Sequence, residues 1–303
     1  MLVWKAMPSI TPMISPTLRE LCSKVVMACT VSRMAAPPAS AWSRSWPVSW
    51  SRSRAAPALF ATASRPENFV RLWDVATGRL LRTIAVKSTG TSAHAVAFSP
   101  DGRWLAAGTW SASPDVIAVY DVQTGERRFD VADMDSPVVD LAYSSDGRLL
   151  VAGTVSQGDN LFVFDSDSRK LISAMHGHAG SIATCSLHPR NSRLASVSFD
   201  RELKLWDVPS GREVLSVSAH PDHVACVAFT PDGNRLVTAG FDGSLRVWDG
   251  APSSSPDSPE VSTLSMNQGD VWSVTFHPDG RLLASGPGIG LRDRKSTRLN
   301  SSH

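Results

Sequence analysis

The sequence predicts an all-β protein made of a repeated unit of four short strands. Five apolar runs each close on an aspartate, and successive closing aspartates are 47, 44, 42 and 42 residues apart. Each unit also opens with alternating apolar and polar residues that are interrupted by a turn such as Pro-Asp-Gly. Such alternation indicates half-buried strands, and this period indicates sheets that stack on their neighbours. The closing residues are Asp74, Asp121, Asp165, Asp207 and Asp249.

The strands of one unit follow from its local sequence. In the unit that begins at Ala93, the run AVAF predicts a first strand, SPDG a tight turn and RWLAAG a second strand. The Asp-Gly step supplies a residue that tolerates a positive φ, which such a turn requires. A third strand ends at Asp121, and a fourth follows the Thr-Gly turn. Because one such sheet buries too little surface alone, neighbouring units must stack on it.

The number of units predicts an incomplete series. Four complete units run from Ala93 to about Ser265. A fragment before them offers three strands but lacks the first, and a fragment after them, ending at Gly286, offers two strands. We therefore expect about four full sheets and two partial ones, in a repeat domain that spans residues 58–286.

The N-terminal segment differs from the repeats in composition and charge. Residues 1–57 carry seven Lys or Arg, the single acid Glu20 and seven prolines, without strand alternation. Residues 58–292 carry 20 basic and 26 acidic residues, a net charge of −6. We interpret residues 1–57 as a segment outside the repeat domain, mistranslated or disordered. A transit peptide is the alternative, although the prolines oppose the amphipathic helix that it needs.

The C-terminal residues DRKSTRLNSSH, at positions 293–303, match none of the repeats. Back-translation over all eleven codons resembles a widely used sequencing-library adapter. We therefore expect residues 293–303 to be an adapter-derived tail and residues 287–292 to be a junction.

The repeated residues resemble those of the WD-repeat β-propeller family. A Gly-His pair precedes one unit at Gly177 and His178, Asp-Gly turns recur, and a Trp-Asp pair closes three of the five units. The resemblance covers roughly residues 57–286. It implies an incomplete β-propeller, with about four full blades and two partial ones of roughly seven.

The same resemblance implies hydrogen-bonded structural tetrads in two units. The matching residues are His178, Ser196 or Ser198, Asp200 and Trp206 in one unit, and His220, Thr238, Asp242 and Trp248 in the next. In the family such tetrads tie a loop to its blade by satisfying buried polar groups, so we expect structural and not catalytic roles. Two units depart from the pattern, with Pro114 and Gly158 in place of the turn aspartate.

The sequence contains no pattern typical of an enzyme or of a cofactor site. It lacks a Gly-rich phosphate loop, a cluster of metal ligands and a nucleophile elbow, so we expect no catalytic residue, metal, cofactor or small-molecule substrate. Cys185 and Cys226 are expected to be buried free thiols. No apolar run suits a membrane span or an export signal. A propeller hydrolase is a remote alternative, since the first-strand segments offer only His94 and Asp140.

A rigid repeat fold with variable loops favours the docking of other proteins. The acidic body, without a basic stripe interleaved with aromatic residues, gives no reason to expect direct nucleic-acid binding. The signatures FVRLWDV and DVWSVTFHPDG are similar to those of the WD-repeat subunit shared by the superkiller complex and the polymerase-associated factor complex. That likeness implies a cytoplasmic and nuclear scaffold in exosome-associated RNA decay and transcription elongation. Another WD-repeat adaptor, in signalling, ubiquitin ligase or chromatin complexes, is the alternative.

In WD-repeat propellers the top face is formed by the residue that begins each first strand and by the residue before each turn aspartate. Alignment with Trp272 places His94, Val139, Ala183 and Ala225 at the first position, and Phe199 and Phe241 at the second. Exposed aromatic side chains are frequent interface anchors. We therefore predict partner docking on Phe199, Phe241 and Trp272, with His94 and the loop residue Trp110 as further candidates. The alternative is that these rings only pack against neighbouring blades.

Overall fold

A computed structural model describes thirteen parts of the chain, and all of its regular elements are β-strands. The described residues are 3–6, 50–52, 59–63, 68–86, 92–110, 115–134, 136–156, 159–190, 193–250, 260–265, 269–276, 280 and 282–287. Within them no helix is long and apolar enough to cross a membrane. The predicted all-β fold is confirmed.

The strands form six antiparallel sheets, which follow one another along the chain. The first sheet contains β2 (Trp50–Arg52), β3 (Leu59–Ala63), β4 (Phe69–Asp74) and β5 (Leu80–Ala85). The second contains β6 (Ser92–Phe98), β7 (Trp104–Trp110), β8 (Asp115–Asp121) and β9 (Arg127–Met134). The third contains β10 (Val138–Tyr143), β11 (Leu149–Thr154), β12 (Asp159–Asp165) and β13 (Leu171–His176).

The later sheets repeat this order. The fourth contains β14 (Ile182–Leu187), β15 (Arg193–Ser198), β16 (Glu202–Asp207) and β17 (Arg212–Ser218). The fifth contains β18 (Val224–Phe229), β19 (Arg235–Gly240), β20 (Ser244–Asp249) and β21 (Glu260–Ser265). The sixth contains β22 (Val271–Phe276) and β23 (Leu282–Pro287), with β1 (Val3–Ala6) paired to β23.

The structure differs from the sequence prediction in the segment 1–57. Trp50–Arg52 pairs with β3, so the first sheet has four strands instead of three. Val3–Ala6 pairs with β23, so the sixth sheet has three strands instead of two. Both strands were missed because backbone hydrogen bonds to an open edge need no alternating side-chain pattern. The domain boundaries stay predictions, and the expected adapter-derived tail lies outside the described residues.

A short turn joins the first two strands of the second sheet, and its hydrogen bonds follow from its sequence. The Asp101 carboxylate accepts hydrogen bonds from the Ser99 hydroxyl, at 2.5 Å, and from the backbone N–H of Arg103, at 3.0 Å. Gly102 adopts a φ of 72°, in the left-handed region that glycine tolerates best. The predicted Asp-Gly turn therefore sets the hairpin register.

The core lies between neighbouring sheets, where their first strands pack in chain order from β2 to β22. Every residue of β6 is buried, whereas β17 on the outer side is mostly exposed. One hydrophobic cluster spans each pair of neighbouring sheets. Each sheet therefore depends on its neighbour for the burial of its apolar surface. Such burial stabilises a fold by about 25 cal/mol per Å². The described cysteines, Cys185 and Cys226, are free and buried, as predicted.

Side chains also join the first strands of successive sheets. The Asp140 carboxylate of β10 accepts a hydrogen bond from the backbone N–H of Cys185, at 2.7 Å. The Thr184 hydroxyl of β14 accepts one from the backbone N–H of Val227, at 2.9 Å. A first strand is an edge strand, and these bonds satisfy amide groups that its own sheet leaves unpaired. Burial raises the pKa of Asp140 to about 6 despite the hydrogen bond from Cys185.

Candidate functional site

The fourth sheet assembles one of the expected tetrads in full. His178 Nδ1 lies 2.8 Å from the Asp200 carboxylate, and His178 Nε2 lies 2.8 Å from Ser196 Oγ. Trp206 Nε1 donates to the same hydroxyl, at 2.8 Å. The structure selects Ser196, because Ser198 Oγ instead accepts from the backbone N–H of Asp200.

The donors and acceptors of this tetrad form one consistent series. A carboxylate only accepts, so His178 Nδ1 carries the proton and its Nε2 accepts from the Ser196 hydroxyl. The serine oxygen in turn accepts from the indole N–H of Trp206. Burial raises the pKa of Asp200, but its hydrogen bonds, led by that with His178, outweigh burial and lower the pKa overall. Every buried polar atom of the series has a hydrogen-bond partner, so the tetrad has a structural role.

The fifth sheet repeats the arrangement with a threonine. His220 Nε2 lies 2.7 Å from Thr238 Oγ1, which also accepts from Trp248 Nε1 at 2.9 Å. His220 Nδ1 lies 3.1 Å from each Asp242 oxygen. Burial, partly offset by Asp242, lowers the pKa of His220, which favours the neutral ring that this series requires.

One group of potential metal ligands lies in the described part of the chain: His178, Asp200 and Glu202, whose ligand atoms are within 4.8 Å of one another. Both ring nitrogens of His178 are already engaged by Asp200 and Ser196. A cation would have to break this series, so the group fits a structural role better than a metal site.

The first sheet holds half of a tetrad that the sequence analysis missed. Trp73 Nε1 donates to Thr62 Oγ1 at 3.1 Å. Trp73 lies opposite Phe60, as Trp206 lies opposite Leu194, and in each sheet the hydroxyl belongs to the residue two positions further along the second strand. The hydroxyl residue precedes the tryptophan by 11 residues here but by 10 in the fourth and fifth sheets, so a fixed spacing in the sequence does not identify it.

The second and third sheets lack the tetrad because both of its central residues are replaced together. Tyr120 and Phe164 take the place of the closing tryptophan, and Ala107 and Ala152 take the place of the hydroxyl residue. Tyr120 is 2% exposed, and its hydroxyl has no hydrogen-bond partner among the described residues. Pro114 and Gly158, at the predicted positions of the turn aspartate, lie outside the described residues.

The structure brings three of the predicted docking residues together with a histidine that the sequence analysis missed. The Phe199 and Phe241 ring centroids are 6.4 Å apart, and those of Phe241 and Trp272 are 4.7 Å apart. His223 lies 5.3 Å from Phe199 and 5.9 Å from Phe241. Its Nδ1 donates to the Phe199 carbonyl oxygen at 2.6 Å. We call these four residues the aromatic row.

The aromatic row lies at the end of the sheets where second strands lead into third strands, which is the predicted top face. Phe199 and Phe241 directly follow β15 and β19, and Trp272 is the second residue of β22. The three rings are half-buried, and His223 is exposed. Trp272 Nε1 is buried and lacks a hydrogen-bond partner in the part of the chain that the structure describes.

The other two predicted docking residues form a separate pair on the second sheet. The His94 and Trp110 ring centroids are 5.1 Å apart. His94 is only 4% exposed, so it offers a partner little surface. The start residues Val139 and Ala225 are also buried, and Ala183 is half-buried. Of the start residues Val139, Ala183, Ala225 and Trp272, Trp272 alone carries an aromatic ring, and this ring belongs to the aromatic row.

Four segments of the chain match a known repeat family. The family is the WD domain, G-beta repeat, and the matched residues are 78–113, 169–207, 211–249 and 258–294. The segments 169–207 and 211–249 each begin next to the fourth strand of one sheet and end with the third strand of the next. None of the four segments contains residues 114–168, which hold Tyr120 and Phe164 in place of the tetrad tryptophan.

A relative in Schistosoma mansoni, the "WD repeat-containing protein SL1-17", is 33% identical over 147 residues. The match covers 48% of this chain and 46% of that protein, so the chain spans about half the length of the relative. The WD family is generally non-catalytic, and its members generally bind other proteins. The repeat matches, the two tetrads and the stacked four-stranded sheets together establish the fold as an incomplete β-propeller of WD repeats.

Proposed function

We propose that the chain is a non-catalytic scaffold that binds a partner protein through the aromatic row. The observation that supports this most is the continuity of the row across three sheets, with Phe241 in ring contact with both Phe199 and Trp272. Half-buried aromatic side chains supply large contact area at a small cost in side-chain entropy. The tetrads behind Phe199 and Phe241 hold the turns that carry them.

The rings and the exposed histidine of the row suit a peptide partner. The indole N–H of Trp272 is buried, so Trp272 offers a partner its ring and not a hydrogen bond. His223 offers a further exposed ring beside Phe199. A segment that covers the row would therefore gain apolar contact with three half-buried rings.

We further propose that the partners belong to the superkiller complex in the cytoplasm and to the polymerase-associated factor complex in the nucleus. The support is the likeness of the signatures FVRLWDV and DVWSVTFHPDG to the subunit that these complexes share. The chain would then serve exosome-associated RNA decay and transcription elongation as an assembly subunit.

Affinity purification with a Phe199→Ala/Phe241→Ala variant tests both proposals. The unchanged chain should capture superkiller subunits from a cytoplasmic extract and polymerase-associated factor subunits from a nuclear extract, as identified by mass spectrometry. The double variant should lose this capture. The control Leu81→Ala/Leu171→Ala removes two side chains that are 54% and 53% exposed on outermost strands, and should retain it.

Each outcome bears on one proposal. Capture by the double variant at the level of the unchanged chain would refute docking on the aromatic row. Row-dependent capture of signalling, ubiquitin ligase or chromatin subunits instead would keep the scaffold role and refute the assignment to these two complexes. Thermal unfolding of the double variant should match that of the control, since neither pair belongs to a tetrad.

A further inference from the structure

A second surface cluster combines arginine side chains with aromatic rings at the opposite end of the sheets. The guanidinium carbon of Arg103 lies 4.7 Å from the Trp104 ring centroid, and that of Arg128 lies 6.0 Å from it. Arg169 of the third sheet lies 5.3 Å from the ring centroid of Phe129. The two rings are 6.3 Å apart. We call these five residues the arginine patch.

The arginine patch lies at the end of the sheets away from the aromatic row. Trp104 begins β7 and Phe129 is the third residue of β9, whereas the aromatic row follows the ends of second strands. The three arginines are exposed and the two rings are half-buried. Both rings pack on the core between the second and third sheets, and this packing fixes the surface on which the guanidinium groups lie.

Arg169 occupies a backbone position that the equivalent turns give to glycine. Its N–H donates to the carbonyl of the closing aspartate four residues earlier, as do those of Gly78, Gly125 and Gly211. All four residues have φ between 62° and 76°. A side chain in this left-handed conformation costs free energy that glycine avoids. In the third sheet this position is nevertheless occupied by Arg169, and its guanidinium lies over the Phe129 ring of the second sheet.

Two of the three guanidinium groups lack an acidic partner in the described part of the chain. Arg128 pairs with Asp121 at 3.3 Å, but neither Arg103 nor Arg169 forms an ion pair with any described acid. The acid nearest in sequence to Arg103 is Asp101, whose carboxylate accepts hydrogen bonds within its own turn. The patch thus presents two planar cations whose N–H groups are available to an acceptor.

We propose that the arginine patch binds an acidic peptide segment of a partner protein. A guanidinium that stacks on a ring keeps its planar fork fixed, and such a fork matches the two oxygens of a carboxylate. Single-stranded RNA fits less well, because its bases need open aromatic faces and Arg103 and Arg169 already cover those of Trp104 and Phe129.

Fluorescence anisotropy with the full chain tests this proposal. The probes are a labelled peptide of alternating glutamate and glycine, its glutamine counterpart and a labelled oligouridylate, all at low salt. The glutamate peptide should bind, and Arg103→Gln/Arg169→Gln should weaken it by roughly tenfold or more, as expected for loss of charge-assisted hydrogen bonds. Arg169→Gly, which also relieves the positive φ, should weaken binding without loss of folding.

Two controls locate the effect. Arg79→Gln changes an exposed arginine beside the equivalent turn of the first sheet and should leave peptide binding unchanged. Phe199→Ala/Phe241→Ala should also leave it unchanged, which separates this surface from the aromatic row. Equal binding of the glutamine peptide, an equal loss with Arg79→Gln, or tighter arginine-dependent binding of the oligouridylate would overturn the proposal.

Discussion

Removal of one hydroxyl from the tetrad of the fourth sheet should destabilise the protein more than its size suggests. Ser196 is fully buried, and its Oγ serves both Trp206 Nε1 and His178 Nε2 at 2.8 Å. Ser196→Ala leaves these two groups, in side chains that are at most 2% exposed, without a partner. Each unpaired buried group costs about 1–3 kcal/mol, so the free energy of unfolding should fall by about 2–6 kcal/mol for the two. That loss is a large part of the ~5–15 kcal/mol typical of a folded domain.

Ser198→Ala is the matched control, because Ser198 is equally buried on the same strand. Its Oγ accepts a single hydrogen bond, from the backbone N–H of Asp200 at 3.1 Å. This variant should therefore lose only about 1 kcal/mol. Urea denaturation followed by circular dichroism measures both losses. An equal or smaller loss for Ser196→Ala than for Ser198→Ala would refute the account of the tetrad.

A double-mutant cycle adds a second check on the same tetrad. Ser196→Ala combined with Trp206→Phe recreates the Ala152 and Phe164 pair that the third sheet already contains. The double variant has no indole N–H that could be left unpaired. Its loss in the free energy of unfolding should therefore be smaller than the sum of the two single losses by at least about 1 kcal/mol, the value of one buried hydrogen bond. Simple additivity would contradict the shared hydrogen bond.

Three further predictions concern stability. Tyr120→Phe should raise the free energy of unfolding by about 1 kcal/mol in urea denaturation, because the buried hydroxyl lacks a partner among the described residues; a loss would contradict this. Arg169→Gly should raise the thermal midpoint, since glycine relieves a φ of 62°; an unchanged or lower midpoint argues against strain there. The pKa of Asp140 is raised to about 6, so its folded form binds the extra proton and stability should fall as pH rises from 4 to 7. Asp140→Asn should remove this fall in pH-dependent unfolding, and an unchanged pH profile would show that another group causes it.

The repeat pattern predicts the hairpins, the closing residues and the members of the tetrads, because these depend on local spacing. Asp200 precedes Trp206 by six residues, and Asp242 precedes Trp248 by the same distance. The sequence left Ser196 and Ser198 as alternatives, because both lie on one face of β15. Only the pairing of Leu194 with Trp206 across the sheet decides between them.

The features that the sequence analysis missed depend on contacts between distant parts of the chain. His223 joins the aromatic row because the loop after the fourth sheet places it beside Phe199 and Phe241. The arginine patch requires Arg169 of the third sheet to reach Phe129 of the second. A periodic pattern within one unit carries no information on such pairs.

Photo-crosslinking from the aromatic row tests the proposed scaffold role most directly. Phe241 lies between Phe199 and Trp272, so benzoylphenylalanine in its place reports what covers the row. Leu171, which is 53% exposed on the outermost strand of the third sheet, is the control position. In extract, position 241 should crosslink to a discrete partner protein and position 171 should not. A crosslink from position 171 with none from position 241 would contradict the account.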